Sequence, residues 1–250
     1  MRSSPATPAG SEPYVAEHGR GHPLVLLHGG LMTAELTFGP LIPALAERHR
    51  VLAVELQGHG HTPDSDRPMA LEYLADDLVD VLDRHGLERA DVFGFSLGGM
   101  VALEFALRHP DRLDRLIVGS VDYRPGAVEL PPERLPTEAD FQAMRDAYAA
   151  VAPDPGHFDD FSVKASGMVH THPGWTEAQL ATVGAPTLLL FGDADFAPLD
   201  HAVGLHAAIT QSQLAVLPGT THMEVVRRID VVLTLVERFL GEAEGDHPSR

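Results

Sequence analysis

The chain has 250 residues, 44% hydrophobic and 22% charged, with 18 Lys+Arg against 36 Asp+Glu for a net charge of −18. That composition suits one or two soluble globular domains and excludes fibrous, coiled-coil and mostly disordered classes. An acidic surface of this kind repels phosphate backbones and anionic lipids, so the expected partner is a small molecule, with neither nucleic acid nor a membrane.

No apolar run approaches the roughly 18 residues of a spanning helix. The absence of cysteine leaves no disulfide, thiolate metal site or thiol nucleophile. The opening MRSSPATPAGSEP has no apolar core of a secretory leader, which points to a flexible tail on a cytoplasmic protein.

In chain order, Val15 with its neighbours and Pro23 to Leu27, joined by His18-Gly19-Arg20-Gly21, read as a hairpin. Val51 to Glu55, Ala90 to Phe95, Leu113 to Val118, Pro186 to Phe191 and Gln213 to Leu217 read as buried strands. They are short and aliphatic with little alternation, as in a parallel sheet covered on both faces. Between them Leu71, Leu74, Leu78, Val81 and Leu82 share one helical stripe. Val101 and Phe105 belong to a helix that Pro110 stops, and Val225, Ile229, Leu233, Val236 and Phe239 make a last amphipathic helix. This alternation predicts an α/β class with a mostly parallel sheet flanked by helices.

The interval from Asp122 to Ala185 is longer than a crossover needs. It holds the proline-rich stretches Arg124-Pro125-Gly126, Pro131-Pro132 and Pro153-Asp154-Pro155, with helical patches between. It reads as an insertion over the carboxyl edge of the sheet. The expected organisation is a core over 13–121 and 176–240, a small helical lid over 122–175, and flexible tails at 1–12 and 241–250.

The strongest chemical signal is Gly94-Phe95-Ser96-Leu97-Gly98-Gly99, placed between a strand and a helix. A G-x-S-x-G in that context is a nucleophile elbow: the turn is too sharp for flanking side chains, and it lifts the serine hydroxyl out at the sheet edge. The helix N-terminus then aims free N–H groups where negative charge develops. A serine alcohol needs an adjacent base. Among the 15 histidines, His222 is the one that follows a final strand and precedes a helix. In open α/β sheets the functional loops gather at the strands' carboxyl ends, where Ser96 and His222 can meet. Asp195 is the expected acid, fixing the imidazole's tautomer; Asp193 and Asp122 remain alternatives.

With these motifs the chain resembles the α/β-hydrolase superfamily, and within it the small lid-bearing serine esterases related to non-haem haloperoxidases. The resemblance spans about Tyr14 to Leu240. It rests on Leu26-Leu27-His28-Gly29-Gly30, on Glu55-Leu56-Gln57-Gly58-His59-Gly60-His61-Thr62, on the Ser96 elbow, and on Gly192-Asp193-Ala194-Asp195 with Pro218-Gly219-Thr220-Thr221-His222. Glu55 and Gln57 depart from the family's Asp and Arg in the second motif.

The resemblance implies a Ser96–His222–Asp195 triad and an oxyanion hole from the backbone N–H groups of Leu97 and of Gly30, with Leu31 as the alternative. It also implies cleavage of carboxylic esters through an acyl-enzyme, without cofactor. Lactones, thioesters and C–C bonds use the same triad, and a low-turnover, receptor-like ligand-binding protein is the rival from another class. A lyase-type role for Lys164, the single lysine, is a remoter alternative.

The pairs His59/His61 and His170/His172 lack the further spacing of a hydrolytic metal site, so no metal is expected. Leu31, Phe141, Met144 and Tyr148 are the expected substrate contacts, the last three at helical spacing in the insertion, and they suggest small to medium uncharged esters. Oligomeric state is left open.

Overall fold

The computed structural model describes residues 12–124 and 134–241. The prolines at 125, 131 and 132 and most of both expected tails lie outside the described residues. Seven strands form one sheet in the order β1-β3-β2-β4-β5-β6-β7: β1 Tyr14–Gly19, β2 His22–Leu27, β3 His49–Glu55, β4 Ala90–Phe95, β5 Leu113–Gly119, β6 Thr187–Gly192 and β7 Ser212–Leu217. All neighbours pair in parallel except β1 with β3. Every residue of β4 and β6 is buried, as their unbroken apolar runs require.

The expected hairpin does not form. β3 lies between β1 and β2, pairing Tyr14 with Glu55 on one side and Leu24 with Val51 on the other. The Gly19–Gly21 connection passes over the start of β3. A Cβ on Gly19 would overlap the carbonyls of Ala46 and His49, and one on Gly21 that of Arg48. The glycine turn is there to let one strand step over another, a use that looks identical in sequence to a tight hairpin.

Helices cover both faces: α1 Ala34–Phe38, α2 Ile42–Leu45, α3 Leu71–Arg84, α4 Leu97–Arg108, α5 Glu138–Val151, α6 Phe158–Thr171, α7 Glu177–Leu180, α8 Leu199–Ala208 and α9 Ile229–Gly241. The Leu71 to Leu82 stripe of α3 is buried as its period predicts. The last amphipathic helix is split: His222–Arg227 is a 3₁₀ turn and α9 begins at Ile229. Thr221 caps that turn, with its hydroxyl and amide both donating to Glu224 Oε2. The cap fixes the backbone at His222.

Asp77 is buried on α3 beside the apolar stripe. It takes a two-pronged ion pair from Arg67, whose guanidinium also donates to Gln57 Oε1. Gln57 thus has its own partners in the loop after β3. Glu55 does as well, accepting from the His61 amide at 2.7 Å and the Ala34 amide at 3.3 Å.

Candidate active site

β4 runs into α4 with no intervening residue except Ser96, held at φ 54, ψ −117. A Cβ on Gly94 would overlap the Gly98 carbonyl, and one on Gly98 would overlap the Leu27 carbonyl. The two glycines therefore let α4 start directly against the ends of β4 and β2. Ser96 N donates to Gly119 O at 2.8 Å and Gly98 N to His28 O at 3.0 Å, which fixes the turn to both neighbouring strands. A side chain held left-handed this way is costly and persists only where its surroundings dictate it.

The loops after β6 and β7 are joined by the same close approach. A Cβ on Gly192 would overlap Thr220 O, Ala194 N donates to that carbonyl at 3.1 Å, and Asp193 Oδ1 accepts the Thr220 amide at 3.2 Å. Asp193 thereby ties the two loops, while Asp195 turns inward. Its Oδ1 lies 2.7 Å from His222 Nδ1, and His222 Nε2 lies 3.0 Å from Ser96 Oγ. Asp122 is engaged elsewhere, with His201 on α8.

Burial alone would push the Asp195 carboxyl up. The hydrogen bond and charge of His222, helped by the Ser120 hydroxyl and the Ala197 amide, outweigh it and hold the group below the ordinary carboxylate value. Phe196 stacks on the His222 ring at 3.7 Å between centroids.

The two residues expected to supply oxyanion donors are neighbours: a Cβ on Gly30 would lie 3.6 Å from Leu97 Cβ. The Leu31 amide is taken, donating to His59 Nε2 at 3.2 Å, which leaves Gly30 as the candidate beside Leu97. His59 is buried. Its Nδ1 faces Gln57 O at 3.0 Å, so the ring is neutral with Nδ1–H donating and Nε2 accepting. Burial, with His28 beside it, holds its pKa well below the ordinary value. His28 is likewise buried and held low by desolvation; its Nε2 accepts the Leu56 amide at 3.0 Å. These two rings brace the loop over Gly29 to Leu31.

Ser96 and His222 open into a cavity of about 180 Å³. Leu31, Met32, Leu97, Phe196 and Met223 line its lower part, and Pro136, Phe141, Met144, Ala165, Ser166, Val169 and His170 face them from the β5–β6 segment. Among the described residues that line it there is no Lys, Arg, Asp or Glu.

Of the expected substrate contacts, Leu31, Phe141 and Met144 line this cavity. Tyr148 does not. One helical turn beyond Met144, it packs into an aromatic cluster, parallel to Phe161 at 5.7 Å and edge-on to Phe158 at 5.3 Å. Lys164 is also outside the cavity: its ammonium lies 2.7 Å from Asp64 and 2.6 Å from Ser65 O. His170 holds the Ser166 carbonyl through Nδ1, and His172 Nδ1 accepts the Gly174 amide.

Sequence reasoning missed Ser120 and Phe196, which touch the acid and the imidazole. Phe196 directly follows Asp195, which it had marked, whereas Ser120 lies two residues beyond the strand expected to end at Val118.

Residues 22–177 match the family described as the alpha/beta hydrolase fold. The chain is an α/β hydrolase. It is similar to the 2-hydroxymuconate semialdehyde hydrolase of Pseudomonas sp. (strain CF600), 29% identical over 94% of this chain and 93% of that protein. It is 41% identical to the pimeloyl-[acyl-carrier protein] methyl ester esterase of Aeromonas hydrophila, over 41% of this chain and 39% of that protein. Among solved structures, a meta-cleavage product hydrolase from Pseudomonas fluorescens IP01 shares the fold with a TM-score of 0.80, at 22% identity over 92% of this chain and 94% of that one. A thermophilic esterase from Thermogutta terrifontis does so with a TM-score of 0.77, at 25% identity over 95% and 96%. These relatives are hydrolases, which supports hydrolase activity for this α/β hydrolase. Among its described residues no helix is long and apolar enough to cross a membrane.

Proposed function

We propose that this protein is a serine hydrolase of small to medium uncharged carboxylic esters, acting through an acyl-enzyme on Ser96. One observation carries the reading: a Ser96–His222–Asp195 relay with links of 3.0 and 2.7 Å opens into an apolar cavity whose lining, among the described residues, includes no Lys, Arg, Asp or Glu.

In this reading His222 Nε2 takes the Ser96 proton as Oγ attacks the ester carbonyl. Asp195 holds Nδ1–H and stabilises the imidazolium. Charge on the carbonyl oxygen develops between the Gly30 and Leu97 amides, and one such donor is worth about 10²–10³ in kcat. The imidazolium then protonates the leaving alkoxide, and water attacks the acyl-enzyme by the same route in reverse. The segment over 122–175 acts as a lid, with Phe141, Met144 and Val169 contacting the apolar part of the ester.

A second reading is C–C bond hydrolysis, favoured by the full-length relative named as a semialdehyde hydrolase. A relative from Pseudomonas putida acts, by its name, on a 2-hydroxy-6-oxo-2,4-heptadienoate. A dienoate brings a carboxylate, and burying it without a cation is expensive. The segment 125–133 contains no Lys or Arg, and Arg134 reaches the Asp195 carbonyl at 3.4 Å.

The two readings separate on a panel of p-nitrophenyl acetate, butyrate and octanoate, a carboxylate-bearing half-ester and a 2-hydroxy-6-oxo-dienoate. The ester reading expects kcat/KM for the butyrate at least ~10-fold above both anions. Faster cleavage of the dienoate than of any ester, or no turnover of the esters, overturns it.

A further inference from the structure

Ser120 follows β5 directly. Its amide donates to Leu190 O at 2.9 Å and its hydroxyl donates to Asp195 Oδ2 at 2.6 Å. Both residues are buried, at 2% and 1% exposure. The other oxygen of Asp195 is shared between His222 Nδ1 at 2.7 Å and the Ala197 amide at 2.9 Å. Among the described residues Ser120 is the side chain that donates to Oδ2.

The backbone gives a second, independent observation. Ser120 has φ 57, a left-handed conformation that glycine adopts without cost and other residues rarely do. Glycine would hold this turn more easily. What serine adds there is a hydroxyl, and that hydroxyl reaches the acid of the relay.

We propose that Ser120 is a positioning residue: its hydroxyl clamps the Asp195 carboxylate so that Oδ1 stays aimed at His222 Nδ1. The proposal rests on the serine-hydrolase reading of the relay for its effect on turnover. A carboxylate held on one oxygen alone can rotate about Cβ–Cγ; with both oxygens occupied it cannot do so without breaking a buried hydrogen bond. The hydroxyl dipole also turns its positive end to Oδ2, which lessens the negative potential felt by the imidazole.

Other charged or titratable groups near this acid have different duties. Arg134 reaches the main-chain carbonyl of Asp195 at 3.4 Å, Asp193 holds the Thr220 amide, and Asp122 pairs with His201. None of them donates to Oδ2.

The test compares Ser120→Gly and Ser120→Ala with the parent. Glycine removes the backbone strain together with the hydroxyl, so Tm should hold or rise while kcat on p-nitrophenyl butyrate falls about 10-fold. With the dipole gone the imidazolium is favoured, so the acidic limb of kcat/KM should move to higher pH. Ser120→Ala should lose as much kcat but with a lower Tm, because the strain remains.

Proton NMR of the unliganded proteins reads the Asp195–His222 bond without any substrate, and its downfield Nδ1–H resonance should shift or broaden in both variants. A parental resonance together with a parental kcat and pH profile in Ser120→Gly overturns the proposal. If the parent itself turns over no ester, the serine-hydrolase reading fails, and the NMR arm still decides whether Ser120 holds Asp195. An unmoved resonance there overturns the clamp, and a moved one supports it.

Discussion

The sheet edge and the helical segment facing it share one cavity but are held by different forces. At the edge, the positions of Ser96, Asp195 and His222 follow from backbone packed on backbone: α4 against the ends of β4 and β2, and the β6 loop against the β7 loop. Such contacts have almost no freedom, because each rests on a glycine whose Cβ would overlap a carbonyl. The helical segment is held by side chains, through the Tyr148–Phe158–Phe161 cluster and the Lys164 and His157 contacts to Asp64. The lesson is a division of labour. On the proposed function, chemistry lies on the rigid edge, and selectivity on a surface that can be repacked residue by residue.

The largest effects should come from the edge. Ser96→Ala and His222→Ala should each reduce kcat on p-nitrophenyl butyrate by about 10⁴ or more. The double variant should be scarcely worse than either, since the residues act as a unit. Additive losses would mean that they do not. Next in size, Asp195→Asn should cost about 10³–10⁴ in kcat and Asp193→Asn less than about 10-fold, because the first holds the imidazole and the second only ties two loops. The opposite ranking would move the acid to Asp193.

Within the helical segment the comparison sharpens. Met144→Ala should change the acetate-to-octanoate preference by about 10-fold with little loss of stability. Tyr148→Ala should leave that preference alone and cost about 3 kcal/mol in urea unfolding, as buried aromatic truncations do. If Tyr148→Ala shifts chain length instead, the boundary drawn between cavity and cluster is wrong.

The smallest effect concerns Asp64. Burial pushes its carboxyl up, but Lys164, Gln57, the Ser65 backbone and His157 together hold it below the ordinary carboxylate value. A depressed pKa gives stability that is complete above the unfolded value of about 3.9 and lost as pH falls through the lower folded one. Proteolytic nicking of the α5–α6 segment by an acid-active protease should therefore rise below about pH 4, and Lys164→Met should bring that rise to higher pH. No change in the onset would remove this pin from the account.

What sequence reveals follows the same division. Gly94, Gly98 and the glycine at 192 mark places where only backbone fits, so the edge was readable at Ser96, His222 and Asp195 as positions that the fold brings together. Strand placement was readable within one or two residues, because buried parallel strands are continuous apolar runs. The order of strands was not, and Gly19-Arg20-Gly21 shows why: a glycine turn states that the chain reverses but not what lies between its arms. In the insertion, Phe141, Met144 and Tyr148 share a helical period, yet the period cannot say where the cavity stops and the aromatic packing begins. The burial of His59 was not legible for a related reason. Its loop is polar and glycine-rich, and only the fold shows Phe161 covering the ring edge-on at 4.6 Å. Ser120 left no periodic signal because its role depends on one hydroxyl reaching a residue 75 positions away.

The central claim is that the relay makes Ser96 a nucleophile, and active-site labelling measures that directly. The protein is treated with a fluorophosphonate and the adduct located by peptide mass mapping, with Ser96→Ala and His222→Ala alongside. The account predicts one adduct, on Ser96, absent from Ser96→Ala and formed at least ~10³-fold more slowly in His222→Ala. An adduct on another residue, or labelling of Ser96 at the parental rate without His222, would contradict it.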